Sequence, residues 1–204
     1  MKIAIIGSGI SGLTCGYLLH KEHDISVFEA SDWIGGHTHT VNVSVKGQTY
    51  AVDTGFIVFN DWTYPNFIKL MEQLGVGSKA TEMSFSVHDT DSNLEYNGNT
   101  LNSLFAQRSN LLSPRFWGML RDILRLHQQA PQLLEQARQQ QWTLGELLQN
   151  SGFSREMQEN YLLPMGAAIW SAPVAKMREF PAASFLSFCQ NHGLLQVSDR
   201  PQWK

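Results

Sequence analysis

The chain has 204 residues, 43% of them hydrophobic and 16% charged, which excludes an intrinsically disordered segment and allows one large domain or two small ones. A formal net charge of -3 argues against nucleic acid as the main partner, because neutralising phosphates needs a basic surface. Two cysteines, Cys15 and Cys189, have neither metal-type spacing nor a disulfide framework, so a reducing, cytoplasmic setting is expected. In chain order, Lys2 to Ile6 is a short β-branched run ending in glycine and reads as a buried strand. Ile10 to Lys21 reads as a helix, with Cys15 a small buried hydrophobe inside it. Ile25 to Phe28 is a second strand, closed by Glu29, and the crossover between the strands is expected to be right-handed. Thr40 to Val45 alternates, and the Lys46-Gly47 turn lets Thr49 to Asp53 pair back as a hairpin. Tyr64 to Leu74 is helical, with Pro65 in the first turn and Gly75 past the end. Phe85 to Asp89 and Leu94 to Tyr96 suggest another hairpin.

From about Leu101 to His192 helical periodicity dominates. A helix from Pro114 carries Phe116, Leu120, Ile123, Leu124 and His127. Thr143 and Glu146 have capping-box spacing. Ser154 to Leu163 is a further helix, which Pro164 ends or kinks. Ala182 to His192 is the last, closed by Gly193. No apolar stretch reaches the roughly 18 to 20 residues of a membrane span. The apolar start resembles a signal peptide, but Gly7, Ser8, Gly9, Ser11 and Gly12 interrupt it.

Gly7, Ser8, Gly9, Ile10, Ser11 and Gly12 form G-x-G-x-x-G between a strand and a helix, the setting that gives this pattern its meaning. The first glycine permits a tight turn, the second lets backbone approach a pyrophosphate, and the third lets helix and strand pack closely. Free N–H groups at the helix start offer partial positive charge to the phosphates. Glu29 follows about 20 residues later, where a carboxylate accepts hydrogen bonds from ribose hydroxyls and repels a 2'-phosphate. Gly35 and Gly36 then let backbone lie flat against a ligand where side chains would collide.

The stretches "IAIIGSGISGL" (3–13), "FEASDWIGGHTHT" (28–40) and "DTGF" (53–56) resemble the superfamily of FAD-dependent amine oxidases, phytoene desaturases and protoporphyrinogen oxidases. "GGHTHTV", "DTGFIVFN", "YPNFIKLMEQLGV", "GAAIWSA" and "FPAASFLSFCQNHGLL" are similar to a bacterial group of NAD/FAD-binding oxidoreductases, some of whose relatives are linked to fatty-acid modification. The resemblance implies an α/β fold: a Rossmann-like FAD-binding portion at 1–60 and a mostly helical substrate-domain portion at 61–204. It implies FAD as cofactor, with Ala30, Gly35, Gly36, His37, Thr38, Gly55, Phe56 and Ile57 joining the phosphate loop and Glu29 around it. It implies hydride transfer to flavin from an apolar or amphipathic small molecule, lipids included. Amine oxidases usually carry arginine where Trp33 and His37 stand, which turns the expectation toward the desaturase side. Family members are longer and return a later strand to the first sheet. A truncated product that needs its missing half is therefore one alternative, and an NAD-dependent oxidoreductase is another.

Other groups have plainer readings. His37 and His39 lie two apart on one strand face but lack a third ligand with matching spacing, so no metal is expected. Asp53 reads as a cap for backbone N–H groups before Gly55 rather than a general base. Phe116, Trp117 and Leu120 with Arg115, Arg121 and Arg125 suit either a core-facing helix with solvated arginines or a peripheral membrane contact. Met165, Trp170 and Phe185 suit core or a substrate cavity. No proton-transfer residue can be named from the sequence.

Overall fold

A computed structural model describes residues 1–196 and 200–204. The chain forms two compact units, Met1–Phe59 and Asn60–Lys204.

In the first unit, β1 (Lys2–Ile6) pairs in parallel with β2 (Asp24–Phe28), Ile3 opposite Ile25 and Ile5 opposite Val27. Helix α1 (Ile10–Leu19) crosses between them and lies on that face, where Gly16 approaches Ile5, Ile25 and Val27. The antiparallel hairpin of β3 (His39–Val45) and β4 (Gln48–Gly55) follows, turning at Lys46 and Gly47, both with positive φ. The register shifts between His39 and Thr40.

Two expectations about burial need correction. Strand β1 is not buried: one helix covers one face of two strands, and Ile6 on the other face is 81% exposed. Cys15 is exposed as well, because nothing in this unit packs on the outer side of α1. Among the described residues of this unit no hydrophobic side chain is fully buried.

The second unit has a genuine core. Asn60 opens it, fully buried, its Oδ1 accepting from the Trp62 and Thr63 backbone N–H groups and the Thr63 hydroxyl. Helix α2 (Pro65–Leu74) ends at Gly75 in the left-handed region. The hairpin of β5 (Ser86–Asp89) and β6 (Leu94–Asn97) and the short helix α3 (Leu101–Leu104) lead into a 3-10 turn at Arg108–Leu112. Helix α4 (Pro114–Gln140) is the spine, burying Phe116, Met119, Leu126, Ala130, Leu133 and Ala137 along one side. Leu124 points outward, contrary to the sequence reading, because the inward stripe runs through its neighbours Ile123 and Leu126. Buried Asp122 receives the Ser154 N–H at 2.8 Å and pairs with Arg125 at 3.3 Å, whose guanidinium also lies over the Phe153 ring.

Helix α5 (Leu144–Asn150) begins with the capping box foreseen at Thr143 and Glu146. Helix α6 (Arg155–Met157) runs through a π turn at Gln158–Leu162 into α7 (Leu163–Trp170). Pro164 does not end this segment; it sits in the first turn of α7, directly after the π turn. Helices α8 (Val174–Met177) and α9 (Ala182–Asn191) complete the unit. Met165 and Phe185 are core, and Trp170 packs among Phe180, Phe185 and Phe188. Near the C-terminus, Trp203 bridges back to Asn60 and Thr81. No described helix is long and apolar enough to cross a membrane.

Candidate functional site

The site is built at the end of β1. The Gly7 N–H donates to the Phe28 carbonyl at 2.7 Å, closing the turn with Gly7 at φ 94°. Gly12 is fixed by sterics: a Cβ there would lie 2.0 Å from the Gly7 carbonyl oxygen. Gly9 forms the N-cap of α1, and no side chain caps this end, so Ile10, Ser11 and Gly12 start the helix with their N–H groups toward the loop's open side.

Glu29 is anchored rather than free. Its Oε2 accepts from the Ser8 N–H at 2.8 Å and the Ser8 hydroxyl at 2.5 Å, and its Oε1 from the N–H groups of Ala30 and Ser31, both at 2.8 Å. These donors hold the carboxyl down to about 2, the Ser8 hydroxyl contributing most, followed by the Ser31 and Ser8 N–H groups. Glu29 therefore carries full charge at neutral pH beside the glycine loop.

The paired glycines meet this loop directly. The Gly35 N–H donates to the Ser8 carbonyl at 3.0 Å, and a Cβ on Gly36 would come within 2.9 Å of the Gly9 Cα. Both have positive φ, 122° and 63°. Backbone against backbone is thus the immediate reason for paired glycines, which refines the expectation that they serve the ligand alone. Thr38 donates its N–H to the Gly35 carbonyl at 3.2 Å. His37 contacts Gly55, where a Cβ would lie 2.0 Å from the His37 carbonyl oxygen. Phe56 has φ 51°, and Ile57 is exposed. Trp33 donates its indole N–H to the Gly36 carbonyl at 3.1 Å and packs on the His39 ring.

The structure thus joins Gly7, Ser8, Gly9, Gly12, Glu29, Ala30, Gly35, Gly36 and Thr38 in one bonded or packed cluster, and His37 and Gly55 in an adjoining contact. Ile10, Ser11 and Ile57 lie at its exposed edge. Sequence reasoning missed the Ser8 hydroxyl as the main partner of Glu29; a hydroxyl residue inside the loop was the available signal. Asp53 accepts from the Thr40 hydroxyl at 2.7 Å, across the hairpin, and not from backbone N–H groups as expected. No group of three metal-type ligands occurs among the described residues.

Residues 5–74 match the family described as NAD(P)-binding Rossmann-like domain. The 1-hydroxycarotenoid 3,4-desaturase of Flavobacterium sp. (strain P99-3) is 38% identical over 74 residues, 36% of this chain and 14% of that one. The 15-cis-phytoene desaturase of Synechococcus elongatus is 32% identical over 88 residues, 43% of this chain and 18% of that one. A solved putrescine oxidase bound to putrescine superposes with TM-score 0.59 over 100% of this chain and 46% of its own, at 18% identity, which shows a shared fold. In this first region and in fold, the chain resembles the FAD-dependent amine oxidase and desaturase superfamily. It spans under half of the putrescine oxidase and matches under a fifth of each desaturase. The residues present fit a dinucleotide such as FAD: an uncapped helix start, a loop with glycine at positions 7, 9 and 12, and an ionised carboxylate at the second strand's end.

Proposed function

We propose that this chain supplies the dinucleotide-binding part of a flavin-dependent oxidoreductase that removes hydride from an apolar or amphipathic substrate, lipids included. The observation that carries the reading is the fixed Glu29 carboxylate beside the uncapped start of α1. In this reading the Gly7–Gly12 loop and the α1 N-terminus hold the pyrophosphate of FAD, and Glu29 orients the adenosine ribose. Gly35, Gly36, His37 and Thr38 follow the ribityl side, and Gly55, Phe56 and Ile57 approach the ring. When bound, the flavin accepts the substrate's hydride, and oxygen or another acceptor takes the electrons onward. Likeness to two carotenoid desaturases supports an apolar substrate. The reading sets the enzyme in the cytoplasm, as the cysteine usage suggests.

A second reading, NAD as the dinucleotide, is favoured by the description of the matching family. The negative charge of Glu29 weighs against NADP in either case. The test is the visible absorption spectrum of the purified chain after FAD addition and desalting. Retained flavin bands, lost in Glu29→Ala, are the expected result. A colourless protein that instead binds NADH in titration would replace FAD by NAD.

A further inference from the structure

We infer that Ser8 is a specificity-determining residue of the nucleotide site: its hydroxyl competes with a ribose hydroxyl of the ligand for Glu29 Oε2. The inference rests on the reading of Glu29 as the ribose partner and adds to it a rival donor within the chain. An ionised carboxylate offers about four lone-pair positions. Four donors of this chain reach Glu29. Oε2 takes the Ser8 N–H at 2.8 Å and the Ser8 hydroxyl at 2.5 Å, and Oε1 takes the N–H groups of Ala30 and Ser31, both at 2.8 Å. Each oxygen therefore accepts twice, and a ribose hydroxyl gains a full hydrogen bond only where one of the four withdraws.

Three of the four donors are fixed backbone groups. Ala30 and Ser31 follow Glu29 directly in the chain. The Ser8 N–H is held by bonds on either side of it: the Gly7 N–H donates to the Phe28 carbonyl at 2.7 Å, and the Ser8 carbonyl accepts from the Gly35 N–H at 3.0 Å. The Ser8 hydroxyl alone can turn its proton away by rotating about one bond. Its oxygen keeps a partner when it does, because the Gly35 N–H lies 3.4 Å from Ser8 Oγ. Glu29 is exposed and open to a ligand, whereas Ser8 is 2% exposed, so water does not replace the bond that the turned hydroxyl gives up. In the natural chain one charge-assisted hydrogen bond is thus broken for each one that the ribose forms. Without the Ser8 hydroxyl, the three N–H groups still hold the carboxylate, and the ribose gains its bond outright. Glu29 stays ionised at neutral pH in such a variant, since even its ordinary value is 4.5.

The test is isothermal titration calorimetry of the whole chain with ADP and with 2',3'-dideoxy-ADP, the ADP half being common to FAD and NAD. The unaltered chain should prefer ADP by no more than about threefold, as an even exchange of hydrogen bonds requires. Ser8→Ala should raise that preference about tenfold, the scale of one hydrogen bond to a charged group. The rise should lie in tighter ADP binding, with dideoxy-ADP affinity unchanged. Ser8→Gly also lacks the hydroxyl and should show the same rise. Both ligands share adenine and pyrophosphate, so a general loosening of the loop cancels in the ratio. A preference that is unchanged or smaller in both variants overturns the inference; if Glu29→Ala then abolishes the preference, the ribose reading stands without it. Equal binding of the two nucleotides by every chain, Glu29→Ala included, overturns the ribose reading as well. Failure of both nucleotides to bind overturns the two together.

Discussion

The two units of this chain hold themselves together by different means. The second buries Phe185, Met119, Leu126, Leu147 and Leu162 almost completely, and dispersion and the hydrophobic effect supply its stability. The first has no fully buried hydrophobic side chain; its order rests on strand pairing, backbone packing at glycines, and the four donors around Glu29. A core tolerates conservative change of side chain but not loss of volume, whereas a glycine-packed loop tolerates neither an added atom nor a changed dihedral.

This contrast can be sharpened by substitution. The largest effect should come from Phe185→Ala, which removes about 3–5 kcal/mol of unfolding free energy in a denaturant titration. Ile6→Ala, an apolar truncation in the first unit, should cost at most about 0.5 kcal/mol, because that side chain is already in water. Equal losses would refute the comparison. Next comes Gly12→Ala, whose Cβ has no space beside the Gly7 carbonyl; FAD affinity should fall roughly 100-fold, the scale of a backbone clash. Gly118→Ala in α4, where nothing lies within 4 Å, should instead stabilise by up to about 1 kcal/mol.

The smallest effect is a titration. A carboxyl group held below its ordinary value contributes stability above that value and loses it as pH falls through the lowered one. For Glu29 the contribution is therefore intact above pH 4.5 and disappears as pH falls through about 2. Carbon-detected NMR of the Glu29 carboxyl should show this midpoint, and Ser8→Ala should raise it toward the ordinary value. An unshifted midpoint in the wild type would mean that the Ser8 contact does not persist in solution.

The strands, helices and turns were legible because periodicity, capping and glycine punctuation are local. The boundaries of β1, β2, α2 and α9 follow the sequence reading within one or two residues. Burial was less legible, as Ile6, Cys15 and Leu124 show: exposure depends on what packs across from a residue, which no local pattern records. In the site, the loop glycines and Glu29 could be read from spacing. The seat of Gly36 on Gly9 and the hydroxyl of Ser8 on Glu29 could not, since each joins segments more than twenty residues apart. The same holds for the return of Trp203 to Asn60.

The π turn between α6 and α7 has a consequence for angular phase. In an ordinary helix, residues five apart point about 140° away from one another. Met157 and Leu162 are five apart and both are completely buried, which an uninterrupted α-helix would not allow on one narrow face. The wider turn brings them onto the same side, and the Tyr96 hydroxyl donates to the Asn160 carbonyl at 2.6 Å inside it. Tightening 158–162 into a regular helix with every residue kept would rotate α7 by about 100° relative to α6. Met165 and Leu163 would then turn away from the core they now fill, so the width of this turn is under as much constraint as the identity of its residues.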